Sequence, residues 1–522
     1  MDRSTHVPPP YPGPSPAGTA EEAVAAALAG VRPGLGPAYE AALDGARSAV
    51  LTRLWRALAF EPLPWVVGRE LGPDSLRLRL AGGALLEGPR PDPYATDAHV
   101  TEVRLDGRAY RQAARLVAAL RVPHGAAGPL GAAFASFAAE LDDSTASLAL
   151  SRAGQPPGER AEPGTTWEWE QRVVDGHPYH PNCRSRPGFS VAEQLAYAPE
   201  HGPLVELGLV RVRERECLVS GDWPRELRDG DRILVPVHPW QAEHVLKGEE
   251  VLPGPAAHPL MALRTLAPAA GGAHVKTALS TRLTSSVRDI SAYSVETAAV
   301  VSAFAHALAE RLDGRLHVTR TLGAATAYSP DLAAVLREAP EDYARAGERV
   351  VPVAALAGTR LARSADWQAR FARLALSVCL RVLELGVALE AHGQNLLVVL
   401  AADGTPLRLV YRDLADIRIS PARLARHGLP VPPLSGRLVT DDETVLRRKM
   451  FGSLAAGALA ATAGSRRAFG AALAAGLDAL PATADARALR GPLPVKALTL
   501  MRLSPGVPGD QWTQLPSPLA GD

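Results

Sequence analysis

A long apolar helix, a short polar loop and a β-hairpin follow one another between residues 365 and 413. Apolar residues three and four positions apart predict the helix over Ala365–Ala391. Leu396–Leu400 is a short apolar strand, Asp403-Gly404 is a tight-turn signal, and Leu407–Tyr411 returns as the second strand. A hairpin brings the chain back to the edge from which it started. The residues after its second strand are therefore expected beside the loop that precedes its first, in a compact unit of mixed helix and sheet.

The polar residues on either side of this hairpin are of the types that bind a divalent cation and a nucleotide. The loop contains Glu390, His392, Gln394 and Asn395, and Asp413 follows the second strand. Carboxylate and amide oxygens are the ligands that Mg²⁺ prefers, and kinase-like enzymes place an Asn and a later Asp on their metal ions in the same order. We therefore expect a Mg²⁺–nucleotide site here, with Glu390, Asn395 and Asp413 offering oxygen ligands. The alternative is helix capping by Glu390 and Asn395, which does not explain the acidic residue at the far strand end.

A second cluster combines cations with hydroxyl groups and contains Arg264, Lys276, Thr284, Ser285 and Arg288. Arginine forks bind phosphate oxygens in pairs, lysine adds a point charge, and hydroxyls complete the shell, so the cluster fits a triphosphate. The Gly-x4-Gly-Lys-Ser/Thr string is absent, so this is not a Walker loop. The alternative is a solvated β-hairpin with basic edges.

A third cluster begins with the string His-Pro-Tyr-His-Pro and holds His177, His180, Arg184 and Arg186 within ten residues. Prolines fix the backbone, which suits a rigid presentation of side chains. Such a loop is expected to hold a polyanionic substrate or a phosphate. The alternative is an exposed turn whose basic residues have no binding role. A zinc site fits the residue types, but no third and fourth ligand stand at a known spacing.

The residues between these clusters predict strands and a helix. Leu204–Arg213, Arg232–Val237 and His274–Thr284 are expected to be strands, and Ser294–Leu312 is expected to be a helix. The string His-Pro-Trp-Gln that begins at His238 ends one of the strands, and we expect it to support the site. The alternative is a structural role, in which the tryptophan packs and the histidine and glutamine cap the following helix.

Composition excludes several classes of protein. Lys and Arg number 56 and Asp and Glu 55, which disfavours a nucleic-acid-binding protein. Three cysteines are too few for a disulfide framework or a four-cysteine zinc site and suit a cytoplasmic protein. No signal peptide or bilayer-spanning segment is predicted, so no membrane partner is expected. A length of 522 residues suggests three or four packing units, at roughly 150 residues each.

Composition also divides the chain into regions. Residues 1–17 are rich in proline and are expected to be disordered. Residues 18–153 are expected to be mostly helical, with short strands at Ser75–Leu80 and Thr101–Leu105. Residues 165–345 are expected to be β-rich, and residues 346–522 to contain the helix–hairpin unit and C-terminal helices.

Taken together, the ordered motifs resemble the NRPS-independent siderophore synthetases, the IucA/IucC-like family. The family string His-Pro-x-His-Pro-x-x-Lys-x-Arg-x-Gly-Phe matches from His177 to Phe189 with one change. His-Pro-Trp-Gln, Arg-Thr-Leu, a lysine before a strand, Thr-Ser-x-x-Arg and His-x-Gln-Asn follow in order. The match extends from His177 to about Asp416, with a weaker match at Lys496–Arg502.

The resemblance implies a fold and an activity. The fold is α+β, with a three-part thumb, fingers and palm architecture, a kinase-like palm and a helical C-terminal region. The activity is that of an ATP-dependent ligase. It adenylates a carboxylate, often citrate or a related polycarboxylic acid, releases pyrophosphate, and condenses the acyl-adenylate with an amine or hydroxyl while AMP leaves. The nucleophile is a polyamine, a hydroxamate-type amine or an amino alcohol, and a homodimer is implied.

The resemblance also implies roles by motif position. The catalytic side chains are His177, Arg288 and His392. The substrate-binding side chains are His177, His180, Arg184, Arg186 and Arg288. ATP is held by Arg264, Lys276, Thr284, Ser285, Arg288, His392, Gln394 and Asn395. Mg²⁺ is held by Glu390 and Asp413.

Two departures from the family pattern leave the identity of the acid open. Arg184 replaces the family lysine, so a planar guanidinium group with several donors stands in place of a compact ammonium group. Ala262 replaces a serine that commonly precedes the Arg-Thr-Leu motif, so one hydroxyl contact to phosphate is missing. A kinase-like phosphotransferase is the alternative enzyme, although no His-Arg-Asp or His-Gly-Asp loop is present. The third hypothesis is a catalytically inactive relative that binds the ligand without turning it over.

Overall fold

The structure is a computed structural model of the chain, and it describes residues 18–121, 129–158, 160–283, 286–504 and 506–520. The predicted disordered tail at residues 1–17 lies outside the described residues. The fold mixes helix and sheet, as predicted. Among the helices of the described residues, none combines the length and the apolar character that crossing a lipid bilayer requires.

The N-terminal region packs helices against a small antiparallel sheet. Its helices are α1 (Ala20–Val31), α2 (Gly36–Phe60), α3 (Ala113–Arg121) and α4 (Pro129–Ala153). Its strands are β1 (Val66–Leu71), β2 (Ser75–Leu80), β3 (Leu85–Pro89), β4 (Val103–Leu105) and β5 (Arg108–Tyr110), paired in that order. The predicted strand Ser75–Leu80 is confirmed, and its residues alternate between exposed and buried because one face packs on the helices. The core between α2 and α4 includes Trp55 and Phe137.

The central region is built on a nine-stranded sheet with the order β7-β16-β17-β12-β11-β10-β6-β9-β8. Its strands are β6 (Val205–Arg213), β7 (Leu218–Gly221), β8 (Arg228–Asp229), β9 (Arg232–Val237), β10 (Val251–Pro259), β11 (Thr265–Pro268), β12 (His274–Thr277), β16 (Thr321–Thr326) and β17 (Ala333–Arg337). A separate hairpin joins β13 (Leu279–Leu283) to β14 (Ser286–Arg288). The helices are α5 (Thr166–Gln171), α6 (Val191–Tyr197), α7 (Pro239–His244) and α8 (Ala292–Glu310).

One sequence prediction in this region needs correction. The strand expected over His274–Thr284 is two strands that belong to different sheets, because the chain leaves the large sheet at Ala278. The helix expected over Ser294–Leu312 is present as α8.

The C-terminal region surrounds a four-stranded sheet with the order β15-β21-β20-β18. Its strands are β15 (Leu316–Val318), β18 (Arg349–Pro352), β20 (Leu396–Leu400) and β21 (Pro406–Tyr411). Two short pairs join β19 (Val387–Ala388) to β22 (Arg418–Ile419) and β23 (Leu493–Lys496) to β24 (Trp512–Leu515). The helices are α9 (Val353–Leu356), α10 (Ala365–Leu385), α11 (Pro421–Arg426), α12 (Glu443–Met450), α13 (Ala460–Ala463), α14 (Arg466–Leu477), α15 (Ala484–Ala488) and α16 (Leu498–Leu503), with a π-helical stretch at Phe451–Leu459 between α12 and α13.

The predicted hairpin is confirmed, but the predicted long helix is too long at its C-terminal end. Helix α10 ends at Leu385, not at Ala391, because Gly386 adopts a φ of 116° and terminates it. A Cβ atom at Gly386 would lie 3.0 Å from the backbone nitrogen of Leu424, so the close approach of α11 also requires glycine. The chain then forms β19 and enters the polar loop at Glu390.

Candidate functional site

One cavity of about 1630 Å³ collects side chains from all three regions. A pocket for one drug-sized ligand has a volume of roughly 300–1000 Å³, so this cavity has room for two substrates. The predicted residues that line it are His177, His180, Arg184, Arg186, Arg264, Lys276, Arg288, Glu390, His392, Gln394, Asn395 and Asp413. Thr284 and Ser285 lie outside the described residues.

An ion pair between Lys276 and Asp413 lies in this cavity. Lys276 is on β12, where its neighbour Val275 packs into the core beneath the large sheet while Lys276 points to the opposite face. Its Nζ atom donates to Oδ1 and Oδ2 of Asp413 at 2.9 and 2.7 Å. Asp413 follows β21 with a φ of 72°, a left-handed conformation that is uncommon for a residue other than glycine. Such strained backbone is concentrated at functional sites.

Burial perturbs the charges of this pair. Loss of solvation lowers the pKa of Lys276 to about 8, against the opposing attraction of Asp413. Burial alone would raise the pKa of Asp413, but Lys276 and Arg337 hold it well below its usual range. Asp413 is therefore ionised across the physiological range, and Lys276 is close to its titration point.

Two arginines, Arg264 and Arg337, lie beside the pair. Arg264 precedes β11 and donates through Nη1 to the backbone carbonyls of Arg288 and Asp289, so it fixes the position of β14. Arg337 lies at the end of β17 on the same face as Lys276, and its Nε atom has no partner among the described residues. Burial lowers the pKa of both Arg264 and Arg337 to about 10. Such poorly solvated cations favour the arrival of an anion.

The sequence prediction missed Arg337. Its only signal was a cation in the otherwise apolar string Ala-Ala-Val-Leu-Arg. Nothing local indicates that β17 pairs with β12, which is the pairing that brings Arg337 beside Lys276.

The polar loop from Glu390 to Asn395 lines the same cavity as these cations. Asn395 donates through Nδ2 to the backbone carbonyl of Glu390 at 3.3 Å, and the backbone amide of Gln394 donates to Nδ1 of His392 at 3.3 Å. Arg412 donates to the carbonyl of Gln394 through Nε at 3.0 Å, and so holds the loop against the hairpin. The loop is thus a rigid, internally bonded turn.

Lys449 on α12 joins two carboxylates at the edge of this loop. Its Nζ atom contacts Oε1 of Glu390 at 3.0 Å and Oδ2 of Asp416 at 2.5 Å. Lys496 lies 3.6 Å from the same Glu390 oxygen. Glu390 is therefore shared by two lysines, neither of which stood among the predicted site residues.

The donor set suits Mg²⁺ in its chemistry. Mg²⁺ is usually held by one or two carboxylates together with substrate phosphates, and Glu390 and Asp413 are carboxylates that face the same cavity. Asp416 is a third oxygen donor there. Each of these carboxylates contacts a lysine, so a cation would compete with Lys276 or Lys449 for it. The residues thus fit a site that is completed by a nucleotide.

Of the two histidines in the His-Pro loop, His180 is buried, whereas the ring of His177 is exposed to the cavity. Desolvation by the surrounding cavity walls, aided by the nearby charge of His392, lowers the pKa of His177 to about 3. The Nδ1 atom of His177 accepts a hydrogen bond from the backbone amide of Tyr179 at 3.2 Å. Burial and the neighbouring His177 also lower the pKa of His180, and neither of its ring nitrogens has a partner among the described residues. Both rings line the cavity.

The structure does not support the zinc alternative for this loop. Within the described ranges, the one group of three metal-type side chains that lie close together is Glu193, Glu243 and His244. It contains neither His177 nor His180 and lies near the surface.

Arg184 and Arg186 form an internal ion network. Both contact Glu200, at 3.4 and 2.6 Å, and all three side chains are buried. Arg184 also donates to the backbone carbonyls of Val173 and Val174. The prediction that these arginines bind substrate stays a prediction. The donors of Arg184 are largely engaged by the protein, so the geometry assigns Arg184 to holding the loop that carries His177 and His180. Arg186 instead has a buried Nη1 atom without a partner among the described residues.

Comparisons with known proteins confirm the predicted resemblance. Residues 165–358 match the model of the IucA / IucC family, and residues 365–466 match a model described as a ferric iron reductase FhuF-like transporter. The first match contains the His-Pro loop and the cation cluster, and the second contains the polar loop, the hairpin and Asp413.

Curated relatives from three bacteria match part of the chain. A 2-[(L-alanin-3-ylcarbamoyl)methyl]-3-(2-aminoethylcarbamoyl)-2-hydroxypropanoate synthase of Staphylococcus aureus is 24% identical over 57% of this chain and 60% of its own length. A citryl-spermidine/3,4-dihydroxybenzoyl-citryl-spermidine:spermidine ligase of Bacillus anthracis is 24% identical over 48% of this chain and 51% of its own length. The rhizobactin siderophore biosynthesis protein RhbC of Rhizobium meliloti is 28% identical over 47% and 53%. The matches thus cover about half to three fifths of the length of these relatives.

Solved structures show that the fold is shared. The petrobactin biosynthesis protein AsbB of Bacillus anthracis superposes with a TM-score of 0.75 at 19% identity, over 93% of this chain and 98% of that one. The ATP-bound aerobactin synthetase IucA of Klebsiella pneumoniae superposes with a TM-score of 0.70 at 20% identity, over 91% and 99%.

Proposed function

We propose that this chain, which resembles the IucA/IucC siderophore synthetases, is an ATP-dependent ligase that adenylates a polycarboxylic acid and joins it to an amine or a hydroxyl. The observation that carries the proposal is the convergence of Lys276, Arg264, Arg337 and Asp413 in one cavity with the His-Pro loop. The names of the curated relatives, which include a citryl-spermidine ligase and a D-ornithine–citrate ligase, support citrate or a related acid.

The first step joins two anions, so its barrier contains strong charge repulsion. A carboxylate oxygen attacks the α-phosphorus of ATP, the bond to the bridging oxygen breaks, and pyrophosphate leaves. Lys276, Arg264 and Arg337 are poorly solvated cations that bind the triphosphate and offset this repulsion. Arg288 lines the same cavity as Arg264, where it can reach both the phosphate and the carboxylate.

The second step needs a group that accepts a proton. The amine or hydroxyl attacks the acyl carbon, the carbon–oxygen bond to AMP breaks, and the nucleophile loses a proton. His177 is neutral and faces the cavity, so it is suited to accept that proton. His392 lies near enough to influence its charge and lines the nucleotide end.

Glu390 and Asp413 would hold Mg²⁺ in this scheme, as their oxygen donors and their shared cavity allow. When bound, the ion supplies further neutralisation of phosphate charge. Gln394 and Asn395 would line the nucleotide, because they stand in the same rigid loop as His392.

The finer architecture belongs to the same proposal. Residues 18–153 would form the thumb, residues 165–345 the fingers and residues 346–522 a kinase-like palm with C-terminal helices. A homodimer in the cytoplasm is proposed as the working form. The three cysteines are unpaired and buried, which suits a reducing compartment.

Exchange of labelled pyrophosphate into ATP tests the proposal directly. Exchange should require a carboxylic acid and Mg²⁺ and should need no amine. Addition of an amine should then release AMP. Formation of ADP would instead support the kinase-like phosphotransferase, and ATP binding without turnover across a panel of acids and amines would support an inactive relative.

A further inference from the structure

Two arginines of α2 face the cavity from the N-terminal region, and no predicted role includes them. Arg53 and Arg56 are three residues apart, so they lie on one face of the helix. Both line the cavity together with His177 and Tyr179. Arg53 is buried and Arg56 is half-buried.

The partners of Arg53 are neutral. Its Nη1 atom contacts Sγ of Cys183 at 2.8 Å, and its Nη2 atom donates to the backbone carbonyl of Asp175 at 3.2 Å. The carboxylate of Asp175 is held by Arg152, through Oδ2 at 2.5 Å and Oδ1 at 2.9 Å. The charge of Arg53 is thus buried without an ion pair among the described residues.

Arg56 is also held by neutral groups. Its Nε atom donates to the carbonyl of Pro93 at 2.6 Å, and its guanidinium stacks over the ring of Tyr179 with 4.3 Å between the Cζ atom and the ring centroid. These contacts fix the plane of the Arg56 guanidinium group and leave both of its Nη atoms available to a ligand.

The acids nearest to Arg56 are committed elsewhere. Glu61 accepts hydrogen bonds from the backbone amides of Thr499 and Leu500. Asp92 accepts from the backbone amides of Tyr94 and Arg466. Neither carboxylate lies within ion-pair distance of Arg56, although both stabilise its charge at longer range.

The end of the cavity beside Arg56 continues into the proposed reaction centre. Arg53 and Arg56 are close enough to His177 to lower its pKa, His177 is likewise influenced by His392, and His392 is influenced by Asp413. A ligand that spans several carboxylates could therefore touch the α2 arginines and the phosphate-binding cations at once.

We propose that Arg53 and Arg56 form a subsite for a second carboxylate of the acid substrate, remote from the carboxylate that ATP activates. The inference rests on the proposed function. A planar guanidinium fork matches a carboxylate, and the missing ion pair gives a buried carboxylate a large stabilisation there. The subsite makes the enzyme selective for polycarboxylic acids over acids with one carboxylate.

Pyrophosphate exchange without any amine tests this subsite, because a carboxylate on the nucleophile then plays no part. The panel is citrate, succinate, 2-oxoglutarate and 3-hydroxybutyrate, and the variants are Arg56→Gln and Arg56→Lys. A lost charge-assisted hydrogen bond predicts that Arg56→Gln raises the KM for the best polycarboxylate by about 10–100-fold. The KM for ATP should not change, and Arg56→Lys should restore part of the loss.

Arg160→Gln is the matched control, because Arg160 is an exposed arginine at the rim of the same cavity. It should leave the KM for the acid unchanged. Thermal stabilisation of each folded variant by citrate without ATP gives a second readout that does not depend on turnover. Citrate should stabilise the wild-type protein and the Arg160→Gln variant more than Arg56→Gln.

The possible failures are distinguishable. If the wild-type protein prefers 3-hydroxybutyrate, or if Arg56→Gln keeps the wild-type KM and preference, the subsite is refuted while adenylation stands. If no acid supports exchange, the proposed function fails and the subsite fails with it.

Discussion

Lys276 and Asp413 are 137 residues apart in the chain, yet the lysine Nζ atom contacts both carboxylate oxygens of the aspartate. The contact joins β12 of the large sheet to the residue that follows the hairpin of the four-stranded sheet. Their side chains are 11% and 29% exposed, so the pair is accessible from the cavity only. Asp413 keeps Lys276 extended towards the site before a substrate arrives, which reduces the cost of ordering it later.

Replacement of Asp413 by asparagine should remove the carboxylate charge and keep the left-handed backbone conformation, so the two contributions can be measured separately. Asparagine tolerates the left-handed conformation, so Asp413→Asn should fold normally, whereas Asp413→Ala should lose about 1–3 kcal/mol of unfolding free energy. Both variants should lose about 100–1000-fold in pyrophosphate exchange, because the group that positions Lys276 and contributes a metal oxygen is gone. Chemical denaturation and exchange rates measure the two effects. Near-normal exchange in Asp413→Asn would contradict the assigned role.

The pH dependence of ATP use should report Lys276. Its pKa is about 8 because of burial, so the free enzyme loses this cation as the pH rises through that value. The kcat/KM for ATP in pyrophosphate exchange should therefore fall above about pH 8. At saturating ATP the fall should move to higher pH, since bound phosphate favours the charged lysine. Lys276→Arg should lack the fall in this range, because arginine keeps its proton.

The sequence predicted well the features that are local. The hairpin, its turn and the strand Ser75–Leu80 follow from alternation and turn residues, and the structure confirms them. The end of α10 was missed because apolar spacing continues past Gly386 into β19, and a strand of two residues has no period of its own.

The features that the sequence did not predict depend on contacts between distant segments. Arg337 and Lys449 reach the site through strand pairing and helix packing that no local pattern encodes. Arg184 was expected to touch substrate because its residue type and motif position fit that role. Only the fold shows that Glu200 and two backbone carbonyls take up its donors.

Replacement of Arg184 by lysine, the residue of the family pattern, should affect stability more than specificity. The lysine ammonium cannot span Glu200 and the carbonyls of Val173 and Val174 at the same time, so Arg184→Lys should lower the unfolding free energy by about 1–3 kcal/mol. The order of preference among the acids should not change. A reordered preference in the exchange panel would show that Arg184 does contact the substrate.

Loss of Lys449 should make the stability of the protein sensitive to Mg²⁺. Lys449→Met leaves the carboxylates of Glu390 and Asp416 without their shared cation. Lys496 and Arg418 remain beside these partly buried carboxylates, so the loss of unfolding free energy should be about 1–3 kcal/mol, and added Mg²⁺ should recover part of it. Thermal melting with and without MgCl₂ measures the difference, with the wild-type protein and Ca²⁺ as comparisons. No gain from Mg²⁺ in the variant would argue against a cation site at these oxygens.

His238 should contribute to the loss of stability in acid. It caps α7 by accepting the backbone amide of Trp240 at its Nδ1 atom, and complete burial lowers its pKa from 6.5 to about 3. Between these pH values the unfolded chain binds a proton at this site and the folded chain does not, so stability falls as the pH falls. The contribution is about 1.4 kcal/mol per pH unit. Asparagine offers an oxygen for the same cap but does not titrate, so His238→Asn should fold and should reduce the slope by that amount. Urea denaturation of both proteins between pH 5 and 7 measures the slopes, and parallel slopes would mean that His238 is already protonated in the folded protein.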